Sequence, residues 1–246
     1  NRSPTDQNSR QNLRIPARQQ TRTTTRRSVY PRVNRLLNKT EHKNAARLWA
    51  QIRPPYDIQR NTGCPKVLTF SPSDGGIYLN LDTVMAGDSA HRPVQNLFHE
   101  SGHMLDWLLD RNMYSSGPHH GTMFADTLNK DAQNLYNSTQ AMLMADGKPS
   151  DRQHVLWELG QQVRRGTAKT DRNIEDMLQA ALGDDYPKTV GHPNGYFQQQ
   201  GSHQSSEAFA EMLDAQLANP AAWAIIENFM PESAKMFNTM IREATP

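Results

Sequence analysis

Two histidines four residues apart, His99 and His103, enclose a glutamate in the run Phe98-His-Glu-Ser-Gly-His103. On a helix, residues four apart lie on one face, so both imidazoles can be turned to one point. Two imidazoles so aimed are half of a divalent-metal site. Glu100, next to the first of them, can reach a water held by that metal and serve as its general base. The run lies in an apolar-periodic stretch, residues 93–111, with Val94, Leu97, Phe98, Met104, Leu105 and Leu108 at the inward positions. Helix is therefore expected where the chemistry requires it. A lone histidine on such a helix would be read as an ordinary packed or solvated side chain; the full pattern argues for a metal site.

A hydrolytic metal centre needs a third protein donor and one open position. An extended motif with glycine at 106 and histidine at 109 is excluded, because these positions hold Asp106 and Leu109. Asp126, in Gly121-Thr-Met-Phe-Ala-Asp126, matches an aspartate-ligand pattern poorly. His119 and His120 follow the Gly117-Pro118 break at no characteristic spacing. Glu207 is the stronger candidate, since Ser205-Ser-Glu-Ala-Phe-Ala-Glu-Met212 reads as a serine-capped helix on which Glu207 and Glu211 share a face. Glu207 would complete a set of two imidazoles and a carboxylate suited to zinc. Glu211, one turn on, would accept a hydrogen bond from a ligand imidazole and set its tautomer. A developing oxyanion also needs a donor. The loop before Glu207 offers Tyr196, His192 and His203, of which Tyr196 is preferred because a neutral phenol can donate.

The elements that must position these groups are mainly helical. A helix is expected over 33–52, ending before Pro54-Pro55, and short β runs over 66–70 and 77–81, joined by Ser71-Pro-Ser-Asp-Gly-Gly76. Further helical patterns cover about 121–135, 151–165, 171–182, 204–218, 220–229 and 232–243. Ser150 with Gln153 suggests a capping box, and Gly183 a helix stop. Residues 184–206 form a long polar loop, a frequent location for function. The fold class expected is α+β, mainly helical, with a small sheet.

Composition divides the chain. Residues 1–40 hold nine Arg, Lys39 and a single acid, Asp6, a net of +9, which leaves −7 on the remainder of a chain whose total is +2. The first 32 residues, rich in Arg, Thr, Gln and Pro, cannot offset their ordering entropy by burial, so a flexible Arg-rich arm is expected ahead of one domain over 33–246. The arm is either a solvated tail or a segment that lies on phosphates or on an acidic protein surface. Cys64 is the sole cysteine, which excludes internal disulfides and cysteine-based zinc clusters. No apolar run is long enough to span a bilayer or to form the core of a signal peptide, so no membrane partner is expected.

Taken together, His99-Glu-Ser-Gly-His103 and Glu207-Ala-Phe-Ala-Glu211 resemble the catalytic domain of anthrax lethal factor and its relatives. A closer similarity is to the lethal-factor-like domain attached to minor capsid (head morphogenesis) proteins of tailed phages and prophages. It covers Gly75–Leu81, Pro93–Asp106, Gly191-His192, Tyr196-Phe197, Gly201, Glu207–Met212 and Phe229–Phe237, within roughly residues 65–243. The resemblance implies a gluzincin-like zinc peptidase domain with zinc on His99, His103 and Glu207 and the base role on Glu100. Two positions depart from the family. Gln200 stands where lethal factor has a tyrosine seven residues before its ligand glutamate, and Ser101 replaces the usual aromatic residue within the motif. The function expected is a zinc-dependent endopeptidase, phage- or prophage-associated, acting on a protein or peptide in the virion or host cytoplasm; a delivered toxin would share this chemistry. The alternative is a structural protein of capsid assembly with a vestigial or structural metal site. Its arm, residues 1–32, would contact capsid or portal proteins or nucleic acid.

Overall fold

The structure is a computed structural model and describes residues 26–52, 56–57, 69–73, 76–78, 81–87, 92–110, 113–117, 119–164, 168–189, 191–198 and 203–245. Helix makes up 74 % of these residues. The first 25 residues of the Arg-rich arm, most of the first expected β run and Gln200 lie outside them.

The stretch expected as one helix over 33–52 is two, α1 (Arg26–Lys39) and α2 (Lys43–Ile52). Thr40 makes the break: its hydroxyl accepts the His42 backbone N–H at 3.1 Å and donates to the Gln216 carbonyl at 2.6 Å. A side chain that offers the backbone a local partner competes with helix continuation. Helix α1 also runs across the expected boundary at 32/33.

Among the described residues three short strands follow, β1 (Tyr56–Asp57), β2 (Thr69–Ser71) and β3 (Gly76–Tyr78), in the order β1-β3-β2. β2 and β3 are antiparallel, with Phe70 opposite Ile77, and β1 lies parallel to β3. The second expected run stops short, because Leu81 already begins helix α3 (Leu81–Ala86).

Helix α4 (Gln95–Asp110) carries the His-Glu-x-x-His run and is buried on almost every side. Leu97, Phe98, Met104 and Leu105 are sealed from solvent, each contributing about 1.5–3 kcal/mol by burial. Trp49 of α2 meets Phe98 edge-on at 5.4 Å. The remaining helices are α5 (Gly121–Ala145), α6 (Arg152–Val163), α7 (Ala168–Leu182), α8 (His203–Ala218), α9 (Pro220–Phe229) and α10 (Pro231–Ala244). α5 runs ten residues beyond its expected end, because Asn137-Ser138-Thr139 are weak helix formers yet Thr139 and Leu143 are buried, and packing overrides propensity. Asp151, not Ser150, caps α6, accepting the N–H groups of Gln153 and His154 at 3.1 and 3.2 Å. Gly183, at φ +95°, ends α7 as expected. No helix among the described residues is long and apolar enough to cross a membrane.

Asp106, on the buried face of α4, accepts the Ser115 N–H and hydroxyl, both at 2.6 Å, and so anchors the turn after the helix. Burial outweighs these two bonds and pushes its carboxyl up to about 7. A folded pKa above the ordinary 3.8 means that this group's contribution to stability is fully present below pH 3.8 and is lost as pH rises through 7. Asp106→Asn, which keeps partners for Ser115 without the charge, should abolish that loss. Denaturant unfolding of both proteins from pH 4 to 8 should show the variant gaining on the parent by roughly 2–4 kcal/mol; a pH-independent difference would refute the assignment.

Candidate metal centre

Helices α4 and α8 lie against one another, and they approach closely at Gly102. A Cβ placed there would lie 2.6 Å from the Cα of Ala210. The glycine inside the motif and the small residue at 210 thus bring the two helices together at the level where each presents its polar pair.

Across this contact the Nε2 atoms of His99 and His103 stand 3.1 Å apart, and Glu207 Oε2 lies 3.5 and 3.4 Å from them. Zinc bound tetrahedrally at 2.0–2.1 Å spaces its donors about 3.3 Å apart. The three atoms therefore already form one face of such a tetrahedron. Glu207 Oε2 is buried and has no hydrogen-bond partner of good geometry among the described residues. A buried charged oxygen facing imidazole nitrogens is costly unless a cation or protons fill the gap. These His and Glu side chains could hold a metal ion.

Each donor is oriented from behind. Glu211 Oε1 lies 3.3 Å from His99 Nδ1. Ser206 Oγ lies 3.1 Å from His103 Nδ1. Tyr196 donates its hydroxyl to Glu207 Oε1 at 2.6 Å. Phe70 of β2 donates its N–H to Glu100 Oε2 at 2.7 Å. This ties Glu100 to the strand through one carboxylate oxygen.

Electrostatics follow from this crowding. Burial alone would lower the His99 and His103 pKa values, but Glu211 and Glu207 outweigh it at His99, and Glu207 does so at His103, so both are raised. Burial would raise Glu207, yet His103, His192 and His99 hold it well below the ordinary carboxylate range. Burial and the Glu207 charge push the Tyr196 phenol up, so it stays a protonated donor.

His192 also comes within 3.4 Å of Glu207 Oε2 and stacks on Tyr196, ring centroids 3.9 Å apart and planes 7° apart. Their loop is held by Asp184, which accepts the Gly195 N–H at 2.7 Å, and by Gln179, which donates to the His192 carbonyl at 3.2 Å. The weaker sequence candidates fall elsewhere. His120 pairs with Glu243 at 3.3 Å and meets the Tyr114 ring, and Asp126 is exposed on α5.

Behind the donors lies a polar layer of which Glu211 alone was expected from the sequence. Gln95, Asn173, Asp176, Glu211 and Asp214 are fully buried between α4, α7 and α8. Asn173 donates to Glu211 Oε2 at 2.6 Å and to Asp214 Oδ2 at 2.9 Å, and Gln95 donates to the same Asp214 oxygen at 2.8 Å. His99, Glu211 and Asp214 also have metal-ligand spacing. There, however, Arg172 already sits 2.9 Å from Glu211 Oε1, so the cation is the protein's own. Burial pushes Asp214 up to about 7 and Asp176 up to about 6, so Asp214 is partly protonated at neutral pH, whereas Asp176 is mainly ionised and has Arg172 beside it. The one sequence signal was a polar stripe on α7, Arg172, Asp176 and Gln179, which reads like any solvated helix face.

No protein-family model matches the chain, and neither does any curated protein or solved structure.

Proposed function

We propose that the chain is a zinc-dependent endopeptidase with His99, His103 and Glu207 as metal donors and Glu100 as general base. The observation that carries this reading is the triangle of donor atoms, 3.1, 3.4 and 3.5 Å on its edges, with a glutamate adjacent on the same helix. A zinc ion held there would supply Lewis acidity, polarising a peptide carbonyl and lowering the pKa of a water toward neutrality. Glu100 would accept the proton from the attacking water at Oε1, with Oε2 kept on the Phe70 N–H, and return it to the leaving amine. Tyr196 would turn its hydroxyl from Glu207 toward the developing oxyanion, with His192 stacked behind the ring. A site that only stabilises the fold needs no base, so a purely structural role in a virion leaves the place of Glu100, next to His99 on the same helix, without a purpose. The similarity to phage-type lethal-factor-like domains points to the same chemistry, and a phage or prophage setting is part of this proposal.

Metal analysis tests it. The purified chain should hold one equivalent of zinc and cleave a denatured protein or peptide library, with loss on chelation and recovery on zinc addition. His99→Ala and Glu207→Ala should each lose the metal, and affinity should fall on acidification as protons compete for the imidazoles. Metal-independent cleavage, or zinc retained by both variants, would remove the basis for this reading.

A further inference from the structure

We infer that Arg172 is a positioning residue for the metal centre, seating Glu211 so that Glu211 in turn directs the His99 imidazole. This rests on the zinc-site reading above and adds to it a residue from a third helix. Arg172 lies on α7, and its Nη1 is 2.9 Å from Glu211 Oε1, the same oxygen that lies 3.3 Å from His99 Nδ1. The chain of contacts is guanidinium, carboxylate, imidazole, donor face. Its second nitrogen, Nη2, is 3.3 Å from Asp176 Oδ2 one turn along α7.

Three observations make this more than a packed ion pair. First, Glu211 is wholly buried beside two other buried carboxyls, Asp176 and Asp214, and Glu207 is close by. A carboxylate in that company needs a cation, and Arg172 is the partner of Glu211 whose charge does not depend on protonation of an imidazole. Second, the other Glu211 oxygen is held by Asn173 at 2.6 Å. The carboxylate is thus gripped on both oxygens from α7, which leaves its lone pair toward His99 in one direction. Third, the guanidinium is planar and reaches two carboxyls at once, a task that a point charge on a flexible stem does less well. Asp176 also lies 3.8 Å from His192 Nε2, and a Cβ on Gly191 would lie 2.7 Å from its Oδ1. The same guanidinium therefore braces the ground under the loop that carries His192 and Tyr196.

The test uses the full chain loaded with zinc or cobalt. Parent, Arg172→Met, Arg172→Lys, Glu211→Gln and the Arg172→Met/Glu211→Gln pair are compared by zinc affinity against a chromogenic chelator. The visible spectrum of the cobalt form reports donor geometry, and thermal unfolding reports the fold. Arg172→Met should weaken zinc binding roughly 10- to 100-fold and alter the cobalt bands, and Arg172→Lys should recover part of both. In the Glu211→Gln background, removing Arg172 should change affinity little, since the link is already cut. If Arg172→Met alone fails to fold, Arg172→Lys carries the comparison, and parent-like affinity with an unchanged cobalt spectrum in that variant would overturn the inference. Parent-like affinity and an unchanged cobalt spectrum in Arg172→Met would overturn the inference while leaving the zinc site intact. Full additivity of the two substitutions would do the same. A parent that binds neither zinc nor cobalt would instead bring down the reading on which it rests.

Discussion

Glu100→Gln should lower peptide cleavage by about 10²- to 10⁴-fold, the range expected for loss of a general base, and leave the metal content unchanged. The substitution is nearly isosteric. The amide oxygen can still accept the Phe70 N–H that now binds Glu100 Oε2 at 2.7 Å, so the strand should keep its place beside α4. None of the three donors is altered, and Glu100 is not among the groups with metal-ligand spacing. What the amide cannot do is take a proton at neutral pH. Turnover of a peptide pool, measured beside zinc content by elemental analysis, separates these effects. Parent-like cleavage by a zinc-loaded variant would rule out the base role. Loss of zinc together with cleavage would mean that Glu100 holds the site together.

The second large effect is expected at Gly102, where the reason is steric. Alanine in place of glycine favours a helix interior by about 1 kcal/mol, so on propensity alone Gly102→Ala would stabilise α4. Against this stands a Cβ 2.6 Å from the Cα of Ala210, a backbone atom that no rotamer change can move. Forcing two packed helices apart costs typically 1–3 kcal/mol and occasionally more, and the clash should win. The consequence reaches the donors, because His99 and His103 are on one helix and Glu207 on the other. Separation of the helices by even a few tenths of an ångström opens a triangle whose edges are now 3.1–3.5 Å. Gly102→Ala should therefore lose both stability in urea and zinc affinity, and Gly102→Val more of each. Ala210→Gly should not rescue it, since the obstructing atom is the Cα rather than the methyl group. An equally stable Gly102→Ala with undiminished zinc binding would show that the helices are not held at this contact.

Much of the helical framework was legible in advance, and the exceptions have local causes. The long helix expected over 33–52 split because the Thr40 hydroxyl offers the chain a better partner than the next turn does. Helix α5 outran its expected end because the buried Thr139 and Leu143 hold weak helix formers in place. The β1 strand escaped notice because two residues paired to β3 carry no periodicity to read.

The site divides in the same way. The four-residue spacing of His99 and His103, and of Glu207 and Glu211, determines by helix geometry alone that each pair shares a face. The residue types on those faces, imidazole and carboxylate, are ones that could hold a metal ion, and that much belongs to the sequence. That the two faces meet is decided by tertiary packing, at the close approach of Gly102 and Ala210, across about a hundred residues of intervening chain. Packing alone also turns the polar stripe of α7 inward, setting Arg172 against Glu211 and the His192–Tyr196 pair over Glu207. The physical reason is that a charged stripe has the same periodicity whether it faces water or a buried counter-charge. Which of the two it meets depends on the helix that lands against it.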